Sequence, residues 1–117
     1  MEAGPSRYAA RFLTPPEYQY CQGPKLLERL AGRIAAKEAV MKIMGDGWPN
    51  VPWTDIEITS MGKRPVVALS GKALALATLL NLEADSLDIS ITHDGGLAIA
   101  VATGLFGDTS EEEGQEE

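Results

Sequence analysis

Leu30-Ala31-Gly32-Arg33-Ile34-Ala35-Ala36-Lys37-Glu38-Ala39-Val40-Met41-Lys42-Ile43-Met44-Gly45 is the stretch on which the reading of this chain turns. It predicts a long helix from Lys25 to Met44, stopped by a glycine just past its end. At about 100° per residue, Leu27, Leu30, Ala31, Ile34 and Met41 share one stripe. Glu38 falls inside that stripe, and Lys42 follows one turn later at its edge. An ionised carboxylate on an apolar face is costly unless something pairs with it. Two partners are open. One is Lys42, in an i,i+4 ion pair worth about 0.3 kcal/mol on a partly solvated face. The other is a metal ion, or an anion held through one.

Working outward, the chain before this helix is short-jointed. Ser6 to Leu13 reads as the end of a helix that displays Arg7 and Arg11 together. Thr14-Pro15-Pro16-Glu17 carries a capping-box spacing with proline at the first helical position, so a short helix runs from there to about Cys21. Gly23-Pro24 breaks it. After the long helix, residues 46–53 form a proline-containing loop that Trp48 and Trp53 pack down. Asp55–Thr59 and Pro65–Leu69 read as a hairpin, Gly71–Asn81 as a short helix, and Leu87–Thr92 with Leu97–Thr103 as a second hairpin around His93-Asp94-Gly95-Gly96. Helices first, then antiparallel strands with one intervening helix, is an α+β order: an antiparallel sheet packed on a long helix.

Charge is unevenly spread. Of the 17 acidic residues, Asp108, Glu111, Glu112, Glu113, Glu116 and Glu117 crowd the last ten positions and account for most of the net −7. Residues 1–107 are expected to form one domain, and 108–117 a disordered acidic tail. Between residues 7 and 42, Arg7, Arg11, Lys25, Arg29, Arg33, Lys37 and Lys42 face only Glu17, Glu28 and Glu38. This basic third suits an anionic partner. It lacks the aromatic-interleaved basic surface that nucleic acid would want, so no nucleic-acid partner is expected. No apolar run spans a bilayer, no signal peptide is evident, and one cysteine, Cys21, cannot form an internal disulfide; a cytoplasmic location without membrane attachment is the simplest expectation.

Two tempting motifs fail. Ser70-Gly71-Lys72 is not a phosphate-binding loop, because Val66 stands where the first glycine should be and Ala73 where Ser or Thr should follow. Ser90, His93 and Asp94 form a local turn and not a triad.

Three segments, in order, resemble one family. They are Arg7-Tyr8-Ala9-Ala10-Arg11-Phe12-Leu13-Thr14-Pro15-Pro16-Glu17; Leu30 to Ala39 followed by Lys42 and Trp53-Thr54-Asp55-Ile56-Glu57-Ile58; and Ser90-Ile91-Thr92-His93 with the apolar strand after it. Together they look like the holo-[acyl-carrier-protein] synthases, the short type of 4′-phosphopantetheinyl transferase. The likeness covers residues 7–103.

The resemblance implies a fold, a reaction and roles. The fold would be that of the phosphopantetheinyl transferases, assembled as a homotrimer with active sites between subunits. The reaction would move the phosphopantetheine arm of coenzyme A onto a serine of apo-acyl carrier protein, leaving adenosine 3′,5′-bisphosphate. Glu38 would be a metal ligand for Mg²⁺, whose hard-oxygen preference suits a carboxylate beside a pyrophosphate. Lys42 would offset charge on the leaving side. His93 would contact the coenzyme, with Arg33 and Lys37 adding phosphate contacts. Either Glu38 or a water on the metal would take the serine proton. Arg7 and Arg11 match the helix that docks the acidic carrier protein, where opposite charge steers encounter.

One departure stands out. The family opens with a strand carrying G-x-D, whose Asp is a second metal ligand, and none of the six residues before Arg7 is Asp. The expectation is a start assigned downstream of the true one, so that the domain is N-terminally truncated. The competing reading is a non-catalytic homologue that binds coenzyme A or carrier protein.

Overall fold

The computed structural model describes residues 7–45 and 51–107 of the 117-residue chain. Trp48 and the expected acidic tail lie outside those residues. In chain order the elements are α1 (Arg7–Phe12), α2 (Pro15–Cys21), α3 (Leu26–Ile43), a 3-10 turn over Trp53–Asp55, β1 (Ile56–Met61), β2 (Arg64–Leu69), α4 (Gly71–Leu80), β3 (Leu82–Asp94) and β4 (Leu97–Phe106). The α+β order expected from the sequence is the one observed.

Local chemistry explains most of the boundaries. Thr14 caps α2 through its hydroxyl, which accepts from Glu17 N at 3.4 Å, while Thr14 N donates to Glu17 Oε1 at 2.8 Å. This is the reciprocal box that the T-P-P-E spacing predicts, with proline entering the first turn. Asn81 ends α4 in the left-handed region and the chain turns straight into β3. That strand begins at Leu82, five residues earlier than alternation suggests. Its register against β4 shifts between Glu83 and Asp88, and the irregularity hides its first half from a period-two pattern.

The strands form two antiparallel hairpins. In one, Ile56 to Met61 pair with Leu69 to Arg64; in the other, Asp94 pairs with Leu97 across the Gly95-Gly96 turn and Leu82 with Phe106. Among the described residues these are two separate two-stranded ladders, not one continuous sheet. Pro65–Val67 of β2 and Ala84–Asp88 of β3 instead line a shared groove. Proline offers no N–H there, and the irregular part of β3 is the part that faces it, so neither edge supplies a regular ladder.

The core lies between α3, α4 and the two hairpins, and includes Val40 and Met44 from α3, Ile56 and Ile58 from β1, Leu76 from α4 and Ile89 from β3. Each such aliphatic side chain contributes about 1.5–3 kcal/mol by leaving water. Strand β4 alternates sharply. Ala98, Ala100, Ala102 and Gly104 are partly buried, and small enough to let α3 lie close. Leu97, Ile99, Val101 and Leu105 are 65%, 53%, 58% and 64% exposed on the other face.

The buried face of α3 is not the expected one. Gly32, Arg33, Ala36, Lys37 and Val40 are buried. Leu27 is 77% exposed, and Ala31 and Glu38 are exposed as well. Two charged residues sit inward, Lys37 among polar partners and Arg33 over the ring of Tyr20, and a hydropathy wheel counts such residues as outward-facing. Of the stripe carrying Glu38, Leu27, Ala31 and Glu38 itself are therefore on the surface of the folded chain, while Leu30, Ile34 and Met41 are partly buried.

Candidate active site

Lys37 organises the interior behind that surface. Its side chain is fully buried, with Nζ 2.7 Å from Glu17 Oε1. The same ammonium donates to Trp53 O at 3.0 Å and to Ile56 O at 2.5 Å. An ammonium has three N–H groups, and these acceptors account for all three. The expected phosphate contact from Lys37 is thus corrected: the residue is committed to the core. Burial pushes the Lys37 ammonium below its usual range, and the bond to Glu17 pulls the other way. Glu17 Oε2 also accepts from Ile58 N at 2.6 Å, and Thr14 Oγ1 donates to Glu57 Oε2 at 2.6 Å. Helices α2 and α3 and strand β1 are joined through this one cluster.

Turning Lys37 inward turns its neighbour outward. Glu38 and Lys42 both occupy exposed positions, one helical turn apart. Among the described residues no cluster of three or more His, Cys, Asp or Glu could hold a metal. A lone exposed carboxylate does not make a closed protein cage. It does fit a hard cation that keeps its waters and shares a phosphate ligand, the usual habit of Mg²⁺.

A basic cleft of about 380 Å³ opens beside α3, lined by Tyr20, Arg29, Arg33, Ser60, Lys63 and His93 among others. Arg33 is 4% exposed. Its Nη2 reaches Ser60 Oγ only at 3.4 Å, and its buried Nε has no hydrogen-bond partner among the described residues. Arg29 Nη1 donates to Tyr20 O at 3.0 Å. No carboxylate among the described residues lies within ion-pairing distance of either guanidinium. Converging cations with unspent donors make a receptor for a phosphate-like anion. Of the cleft residues, the sequence singled out Arg33 and His93 and missed Arg29, Lys63 and Tyr20. Arg29 had one signal, its place a single turn before Arg33. Lys63 and Tyr20 reach the cleft only through tertiary packing.

His93 stands at the end of β3 against α3. A Cβ on Gly32 would come within 2.9 Å of His93 Cε1, so only glycine leaves room for the ring as it lies. His93 Nδ1 is 4.0 Å from Glu28 Oε2. Its far side lines a second hollow of about 450 Å³, shared with Leu27, Ala31 and the Gly95-Gly96 turn. The imidazole therefore borders both a cationic cleft and a more apolar one.

Helix α1 is held by Phe12, whose ring centroid lies 5.3 Å from that of Trp53 at 60°. Arg11 is exposed on this helix; the side chain of Arg7 lies outside the described part.

A family model described as the 4′-phosphopantetheinyl transferase superfamily matches residues 1–102. The chain belongs to that superfamily. A holo-[acyl-carrier-protein] synthase of Desulforudis audaxviator is 39% identical over 100 residues, covering 84% of this chain and 76% of that protein. One from Frankia alni is 43% identical over 94 residues, covering 80% and 74%. Among solved structures, the ACPS-CoA complex of Chronobacterium ammoniagenes superposes with a TM-score of 0.73 at 28% identity, covering 88% of this chain and 83% of that one. The holo-ACP-synthase of Plasmodium yoelii gives 0.72 at 26% identity, covering 86% and 79%. Members of the superfamily are generally metal-dependent.

Proposed function

We propose that this phosphopantetheinyl transferase moves the 4′-phosphopantetheine group of coenzyme A onto a serine of apo-acyl carrier protein. The observation that carries the reading is the cleft of Arg29, Arg33, Lys63 and His93; Glu38 and Lys42 are exposed on the same helix but outside the lining of that cleft. It occurs in a chain 39% and 43% identical to proteins named holo-[acyl-carrier-protein] synthase.

In this reading Arg33 and His93, joined by Arg29 and Lys63, bind phosphate groups of coenzyme A. The serine oxygen forms a bond to the phosphorus that bears the pantetheine arm. The bond between that phosphorus and the bridging oxygen of the pyrophosphate breaks, adenosine 3′,5′-bisphosphate leaves with the electron pair of that bond, and the serine proton passes to Glu38 or to water. Lys42 offsets charge on the leaving phosphate. Glu38 would hold Mg²⁺ together with the pyrophosphate. When bound, that ion neutralises developing charge and aligns the group being transferred. Lys37 acts from the core by fixing the orientation of α3.

Helix α1, with Arg7 and Arg11, is the docking element for the acidic carrier protein. The exposed row Leu97, Ile99, Val101 and Leu105 on β4 supports assembly as a homotrimer through that face. No helix among the described residues is long and apolar enough to cross a membrane. The proposal places the enzyme in the cytoplasm, in keeping with the free, buried thiol of Cys21.

The test uses the full chain with coenzyme A, Mg²⁺ and purified apo-acyl carrier protein. The carrier gains one phosphopantetheine by mass spectrometry, with an equal amount of adenosine 3′,5′-bisphosphate. Binding of coenzyme A without either product would overturn the reading.

A further inference from the structure

Arg29 and Arg33 are like charges one helical turn apart, and on an isolated helix such a pair is destabilising and splays apart. Here both guanidiniums lie over the ring of Tyr20, with Cζ at 4.9 Å from its centroid for Arg29 and 3.9 Å for Arg33. The Tyr20 carbonyl also accepts from Arg29 Nη1 at 3.0 Å. One residue of α2 therefore gathers two cations of α3. No acidic side chain among the described residues does this work, which leaves the net charge of the pair undiminished. The ring face attracts a guanidinium through its quadrupole without neutralising it. A carboxylate in the same place would have quenched the cleft. The buried, unpartnered Nε of Arg33 marks the same arrangement as one held ready for a ligand.

We propose that Tyr20 is a positioning residue of the cleft. It keeps Arg29 and Arg33 converged and fully charged, so that they meet a phosphomonoester dianion of the nucleotide substrate without first paying to bring two cations together. Tyr20 is not a catalytic residue, since it acts through the two arginines. The inference rests on the reading of the cleft as a coenzyme A phosphate site.

The experiment compares Tyr20→Phe, Tyr20→Leu and Tyr20→Gln with the unaltered full chain. Tyr20 is 40% exposed, so these changes disturb little of the core. Binding of adenosine 3′,5′-bisphosphate is measured by calorimetry, and KM and kcat for coenzyme A by transfer to the carrier. Tyr20→Phe keeps the ring and binds within about twofold of the unaltered chain. Tyr20→Leu and Tyr20→Gln weaken bisphosphate binding by about fivefold to tenfold and raise KM for coenzyme A with little change in kcat. With 3′-dephospho-coenzyme A the KM penalty shrinks, which a merely structural role would not produce. Unchanged bisphosphate binding in Tyr20→Leu and Tyr20→Gln would overturn the proposal, as would an equal loss in Tyr20→Phe. If the unaltered chain transfers nothing but binds the bisphosphate, the functional reading fails while the calorimetric comparison still decides the role of Tyr20.

Discussion

Glu17 Oε1 stands 2.7 Å from Lys37 Nζ, and both side chains are fully buried. Glu17 also receives Thr14 N and Ile58 N, so its carboxylate closes a cap, an ion pair and a strand contact at once. Removing one partner of a buried pair leaves an uncompensated charge and costs about 3–5 kcal/mol. Glu17→Gln and Lys37→Met are each expected to lower stability by about that amount. Urea unfolding followed by circular dichroism reads it as a lower midpoint with an unchanged slope. A loss below about 1 kcal/mol, the range of a surface pair, would show that the cluster is not structural.

Asp55 caps a helix that begins 16 residues later. Its Oδ2 accepts from Lys72 N at 2.7 Å and Ala73 N at 3.2 Å at the start of α4, whose adjacent Ser70 makes no side-chain cap bond. Asp55→Ala is expected to cost about 1 kcal/mol, or roughly 4–8 °C in Tm for a domain of this size. Gly71→Ala is expected to destabilise through both space and backbone. A Cβ there would lie 2.7 Å from Asp55 Oδ2, and φ is +52°. Thermal melts of the two variants check both effects.

Burial pushes the Cys21 thiol above its ordinary value of 9.0, with Arg33 nearby drawing it partly back. The folded chain therefore keeps a proton that the unfolded chain releases. The resulting stabilisation is fully present below pH 9.0 and is lost as pH rises through the higher folded value. Urea unfolding at a series of pH values above 9.0 is expected to show a steeper loss of stability for the native chain than for Cys21→Ala. Identical slopes would contradict the assignment.

What the sequence made legible was local. The Thr14-Pro15-Pro16-Glu17 box, the long helix and the two hairpins follow from capping chemistry and short-range pattern, and they appear in the structure. The Glu17–Lys37 pair spans 20 residues and left no trace in periodicity. Because it draws Lys37 inward, while Tyr20 and Ser60 receive Arg33, the wheel put the core on the wrong side of α3. The first half of β3 was hidden by the register shift between Glu83 and Asp88. Glu38, Lys42, Arg33 and His93 were visible as a motif; of these the cleft takes Arg33 and His93, while Glu38 and Lys42 are exposed on α3 outside its lining. Tyr20 and Lys63 became visible only when α2 and the β1–β2 turn folded against α3.

The exposed row on β4 makes the oligomer testable. Ile99→Lys places a charge in the middle of that face, away from the side packed on α3. It is expected to leave the circular dichroism spectrum intact and, if the proposed homotrimer forms through this face, to give monomer in sedimentation velocity, with transfer lost in parallel. A trimer that survives this change would move the interface elsewhere.

The most direct test of the account is the transfer activity of Glu38→Gln beside that of the native chain, with coenzyme A, Mg²⁺ and apo-acyl carrier protein all saturating. Glu38 is exposed, so the variant is expected to fold as the native chain does. The account predicts phosphopantetheine on the carrier from the native chain and none from Glu38→Gln. Equal transfer by both, or none by the native chain, would contradict it.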